Sequence, residues 1–154
     1  MLKPKKILVP VDGSISSKNA AKYAAYLAKD IDATIVLLHV WEPVAVTIGG
    51  EAARHLKVEM EAESLNILEQ VKRTAEECGG KAEVMGRSGT PAYAILDAQE
   101  ETNADLIVMG SRGLTSIEGF FLGSVANKVL QSATCPVLVT RNIRKRYPES
   151  ACFD

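Results

Sequence analysis

The sequence has no run approaching the ~18 consecutive apolar residues that a membrane span requires. Ahead of Asp12 it holds only a five-residue apolar stretch, Ile7 to Val11, too short for the core of a secretion signal. No membrane contact and a cytoplasmic location are expected. Charge of one sign is missing as well. With 18 Lys and Arg against 19 Asp and Glu, the net charge of −1 gives no pull toward nucleic acid or anionic lipid. Cysteine is scarce: Cys78, Cys135 and Cys152 form an odd set without a C-x-x-C pair or a histidine in ligand spacing. That pattern predicts reduced thiols, the first two packed inside, and no metal centre.

What is present suffices for one domain with a real core: 47% of the 154 residues are apolar. Lys6 to Val11 is a near-continuous apolar run, as a strand buried on both faces requires, and Asp12-Gly13-Ser14 ends it. Ala20, Ala24, Leu27, Ala28 and Ile31 recur at helical spacing, with Ser14 or Ser16 available as N-cap. Thr34 to Val40 is a second strand, closed by Trp41-Glu42-Pro43. A long helix follows, with a core stripe of Ala53, Leu56, Met60, Ser64, Ile67, Val71, Ala75 and Cys78, and Gly79-Gly80 stops it. Lys81 to Arg87 alternates as a third strand, and Thr90-Pro91 opens a helix as cap and first position. Asp105 to Met109, Ser124 to Ser132 and Pro136 to Thr140 complete the series as strand, helix and strand. Repeated βα units of this kind predict an α/β fold: a single open parallel sheet with helices on both faces, Rossmann-like. Residues 1–141 form the domain, and 142–154 are a tail, mobile or docked on a partner, whose basic Arg144, Lys145 and Arg146 are a solvated end.

The stretch from Gly110 to Ser124 carries the most chemistry. Gly110 and Gly113 are separated by two residues, Gly113 and Gly123 by nine, and Ser124 opens the next helix. Glycine lets backbone approach a ligand closely, and the amides of a helix N-terminus form an anion site, so a phosphate-binding loop is one reading. The other is an ordinary βα connection in which Gly110 ends a strand and Gly113 and Gly119 serve turns. A G-x-x-x-x-G-K-[ST] loop is absent, so no lysine reaches β and γ phosphates, and no pair of strand-end carboxylates stands ready for magnesium. No catalytic residue is assigned.

Four segments in order resemble the universal stress protein family: Ile7-Leu8-Val9-Pro10-Val11-Asp12-Gly13-Ser14; Leu38-His39-Val40; Gly86-Arg87-Ser88-Gly89-Thr90-Pro91; and Val108-Met109-Gly110-Ser111-Arg112-Gly113 through Cys135-Pro136-Val137-Leu138-Val139. The resemblance implies a five-stranded sheet of order 3-2-1-4-5. It also implies ATP binding, because the binding members have G-x2-G-x9-G-[S/T], and Gly110, Gly113, Gly123 and Ser124 match that pattern. By the same mapping Gly110, Ser111, Arg112, Gly113, Gly123, Ser124 and Val125 surround phosphates and ribose, with backbone amides as the main donors. Arg112 either turns inward or stays solvated. Pro10, Val11 and Val40 surround the adenine, Met109 lies nearby, and Asp12 faces the ribose or caps its own turn. His39 is read as a satisfied core histidine. Any magnesium or manganese is held mainly by phosphates and water.

The function expected is an ATP-binding regulatory or stress-response protein acting as a nucleotide-dependent switch or sensor. It works as a homodimer through strand five with a further protein partner. Two alternatives stay open: a slow or partner-activated ATP hydrolase, and a structural dimer with a vestigial nucleotide site.

Overall fold

The computed structural model describes residues 3–43, 49–112 and 122–141. Nine elements alternate along them: β1 (Lys6–Pro10), α1 (Ile15–Ile31), β2 (Thr34–Trp41), α2 (Glu51–Glu77), β3 (Lys81–Ser88), α3 (Pro91–Thr102), β4 (Leu106–Gly110), α4 (Ser124–Ser132) and β5 (Val137–Thr140). The strands form one parallel sheet of order β3-β2-β1-β4-β5. Gly113 and the tail 142–154 lie outside the described residues.

Ile7, Leu8 and Val9 of the central β1 have no exposed surface, as a strand covered on both faces must. Ile7 and Val9 face α1 and α2, while Leu8 faces the opposite layer with Ile95, Ala126 and Val129 of α3 and α4. The α1 side is built from Ala20, Ala21, Ala24, Ala25 and Ala28. Such small side chains let the helix lie close against the sheet. Because α1 and α2 cover one face and α3 and α4 the other, the connections leaving β1 and β4 diverge to opposite faces. A crevice opens between neighbouring strands at that point.

Three expectations need correction. Along α2 the buried residues begin at Ser64 and run through Leu68, Val71 and Ala75 to Cys78 at its C-cap, whereas Leu56 is 36% exposed and Ala53 and Met60 are half-buried. A helix of 27 residues is about 40 Å long, whereas the eight-residue strands beside it span about 26 Å, so its first two or three turns run beyond the sheet. Thr90 stands at the N-cap of α3 with Pro91 behind it, but its side chain makes no capping bond. Cys135 is a free thiol as expected, whereas Cys78 is disulfide-bonded, its partner lying outside the described residues. Among the described residues no helix is long and apolar enough to cross a membrane.

Candidate functional site

A cavity of about 470 Å³ lies at the carboxyl ends of β1, β2 and β4. Pro10, Val11, Asp12, Val40, Met109, Gly110, Ser111, Arg112, Gly123, Ser124 and Val125 all line it. The structure thus brings together every site residue singled out from the sequence except Gly113, which lies outside the described residues. Ser17, Leu38, Glu42, Pro91, Ile95 and Ala126 line it too and escaped the sequence reading. Leu38 was findable: it shares the two-residue period of Val40 and so its face of β2, whereas Glu42 lies just past the strand end at Trp41. Pro91 and Ile95 had no such signal, because α3 reaches the cavity only through the crossover that carries it to the other face of the sheet.

The β1–α1 corner is held by its own side chains. Asp12 Oδ1 accepts from the Ser14 amide at 2.9 Å, and Gly13 takes φ +83°, a conformation L side chains rarely adopt. Ser14 caps α1 by accepting from the Ser17 amide at 3.1 Å, while the Ser17 hydroxyl accepts from the Asp12 amide at 3.2 Å and donates to the Ser14 carbonyl at 3.0 Å. Asp12 therefore does cap its own turn. Its carboxylate has lone pairs beyond the one this bond uses.

The β4–α4 side is built differently. The Ser111 amide donates to the Thr140 carbonyl at 3.0 Å, and the Gly123 amide donates to the Ser111 carbonyl at 2.8 Å, which closes the base of the glycine loop. Those two amides are spent within the fold. The donors at this edge are instead the amides of Ser124, Val125 and Ala126, the first turn of α4, which precede its first internal bond from Asn127 to Gly123. The N-cap is Gly123, which has no side chain to satisfy them. Gly110 also has a role the spacing did not reveal. A Cβ there would stand 2.4 Å from Ser16 Oγ and 2.9 Å from the Ser16 carbonyl carbon. Its lack of a side chain lets α1 seat against the end of β4, and the Ser16 hydroxyl is buried there without a hydrogen-bond partner among the described residues.

His39 points away from the cavity. Its Nδ1 lies 2.8 Å from Ser64 Oγ of α2, and its ring stacks on Trp41. Burial pulls its pKa below the ordinary value, opposed by the negative charges of Asp12 and Glu63. It is a satisfied, half-buried histidine.

An open, doubly wound α/β sheet with a crevice at its switch point defines a class of proteins that hold small ligands between strand ends and helix N-termini. Within that class the chain belongs to the universal stress protein family, whose model matches residues 3–141. It is 39% identical over 145 residues to the universal stress protein YxiE of Bacillus subtilis, covering 88% of this chain and 98% of that one. It is 41% identical to the universal stress protein MJ0531 of Methanocaldococcus jannaschii, over 92% and 84% of the two chains. Among solved structures it resembles MJ0577 of the same organism, with a TM-score of 0.80 and 31% identity over 89% of this chain and 95% of that one. It also resembles a universal stress protein in complex with cAMP, with a TM-score of 0.72 and 26% identity over 91% and 98%.

Proposed function

We propose that this protein is an ATP-binding regulatory protein of the cytoplasm whose occupied and empty states present different surfaces to a protein partner. The observation that carries the reading is the uncapped first turn of α4 facing an apolar crevice. Three amides at the positive end of a helix, with Arg112 lining the same cavity, suit a phosphate chain. Val11, Val40 and Met109 offer the apolar surface a base needs, and Asp12 between them suits a ribose. The G-x2-G-x9-G-S spacing of Gly110, Gly113, Gly123 and Ser124 and the cAMP complex of a relative support an adenine nucleotide. Any magnesium is held through the phosphates and water.

Efficient phosphoryl transfer draws on a positioned lysine, metal ligands and a residue orienting water, and each tenfold in rate requires about 1.4 kcal/mol of transition-state stabilisation. Backbone amides, Ser124 and Arg112 stabilise ground and transition states nearly alike, which tightens binding without raising the rate. Two measurements on the same sample test the proposal. At about 100 times Kd, ATP stabilises the fold by about 2.7 kcal/mol, a rise of about 5–10 °C in melting temperature. Phosphate release stays far below one per second. No thermal shift in millimolar ATP and magnesium rejects the binding, and release of several per second that disappears in Ser124→Ala makes the protein an enzyme.

The same regulatory reading includes a homodimer through β5. This strand closes one side of the sheet, and Val137-Leu138-Val139-Thr140 carries no charge. At the opposite edge β3 presents Lys81, Glu83 and Arg87, which discourage pairing. Pro136 and Thr140 accept bonds from Ile107 and Ser111 of the β4 side, so by the alternation of a parallel ladder Val137 and Val139 direct their amides outward. Val139→Pro removes an outward donor and spares the internal ladder. It should weaken the dimer in sedimentation at tens of micromolar, and a monomeric wild type rejects the interface.

A further inference from the structure

We propose that Glu42 is the base-selecting residue of the crevice, its carboxylate accepting a hydrogen bond from the exocyclic amine of an adenine ring. The proposal rests on the nucleotide reading above. The order of the sheet gives the layout: β4, β1 and β2 are successive neighbours, so two strand spacings, about 10 Å, separate the outer two. The anion-binding groups, Arg112 and the α4 terminus, lie on the β4 side. Asp12 follows β1 in the middle. The far side belongs to β2 and the residue that follows it: Leu38 and Val40 of the strand and Glu42 just past its end all line the cavity.

Alternation along the strand explains that set. His39 and Trp41, the intervening residues, stack on each other away from the cavity, with His39 on Ser64 of α2. Leu38 and Val40 therefore supply apolar surface for the face of a ring. Glu42 follows Trp41, the last residue of the strand, two positions beyond Val40, and lines the same cavity, which suits it to the edge of that ring. Pro91 and Ile95 of α3, which packs against β2, are apolar, so among the described lining residues on the β2 side Glu42 brings the polar side chain. An ionised carboxylate only accepts hydrogen bonds. It rewards a base edge that donates. Placed at this distance from the phosphates, it reads the base without opposing the anion at close range.

The test compares ATP with purine riboside 5′-triphosphate, which differs by the amine alone, in calorimetric titrations of the full chain. A hydrogen bond to an exposed charged group predicts a preference for ATP of about tenfold in wild type. Glu42→Ala should bring the ratio near one, and Glu42→Gln, a neutral acceptor, should leave it between the two. Removing a carboxylate strengthens binding of both polyanions alike, so the ratio isolates the contact with the base. Glu42 is exposed, and neither substitution disturbs the core. A wild type that binds both nucleotides with a ratio unchanged in Glu42→Ala overturns the role of Glu42 and leaves the nucleotide site standing. A wild type that binds neither overturns the nucleotide reading itself and this proposal with it.

Discussion

Two helices aim their N-termini at one crevice and end there in opposite ways. α1 begins under side-chain bonds, Ser14 capping the Ser17 amide and Asp12 holding the Ser14 amide just ahead of the helix. α4 begins at Gly123 with no side-chain cap. The first arrangement stabilises the fold, and the second leaves amides that no described residue satisfies. A helix terminus that is open, lines a cavity and follows a glycine loop is where an anionic ligand gains most, whereas a capped terminus beside it serves to position Asp12.

The contrast can be erased from the open side. Gly123→Asp places a carboxylate where it can cap the Val125 or Ala126 amide. Against glycine that gains only a few tenths of a kcal/mol in the free protein, yet it fills and repels the anion site. The expected outcome is an unchanged or slightly higher melting temperature without nucleotide and loss of the whole ATP-induced rise of about 5–10 °C. A retained rise in differential scanning fluorimetry shows that the phosphates lie elsewhere.

Gly110→Ala attacks the joint between the two sides. Its Cβ would meet both the side chain and the backbone of Ser16, so α1 must shift off β4. Overpacking of this kind costs about 1–3 kcal/mol, a fall of about 3–10 °C for a domain of this size. Unchanged stability would mean that Gly110 serves the ligand alone.

Ser14→Ala sharpens the comparison from the closed side. Loss of the cap should cost about 1 kcal/mol in urea denaturation. Ser14 does not line the cavity, so ATP affinity should hold within a factor of two or so, by about 0.4 kcal/mol. A loss of affinity larger than the loss of stability would make the α1 terminus part of the anion site.

The smallest effect concerns His39, whose folded pKa lies below its ordinary value of about 6.5 because burial disfavours the imidazolium. The unfolded chain then binds more protons, so the stability this group contributes is full above about 6.5 and declines as pH falls toward the folded value. His39→Gln, which can still bond Ser64, should flatten the stability profile between neutral and mildly acidic pH. An identical slope in the variant assigns the dependence to other groups.

Much of this was legible in the chain. The apolar runs at Lys6–Pro10 and Leu106–Gly110 and the alanine spacing of α1 set the alternation of strands and helices. The two loops that border the crevice were visible as Asp12-Gly13-Ser14 and the glycine series, because both break a periodic pattern at a strand end. The opening turns of α2 differ from their pattern, since Ala53, Leu56 and Met60 keep a core-like spacing yet none of them is buried, the helix there running past the sheet. Periodicity reports which residues share a face. It does not report whether a neighbour is present.

By itself, then, the sequence determined the elements, their parallel alternation and the residues of the two loops, because dihedral preference and apolar period are local properties. Only the tertiary structure decided which amides of those loops are open. The Gly123 and Ser111 amides have the same sequence credentials as that of Ser124, yet the first two are taken by the Ser111 and Thr140 carbonyls and the third opens an uncapped helix. It also decided that Gly110 is a packing glycine and that α3 brings Pro91 and Ile95 to the cavity. Hydrogen-bond partners and close approaches between elements far apart in the chain depend on where the sheet places them, and no local pattern carries that information.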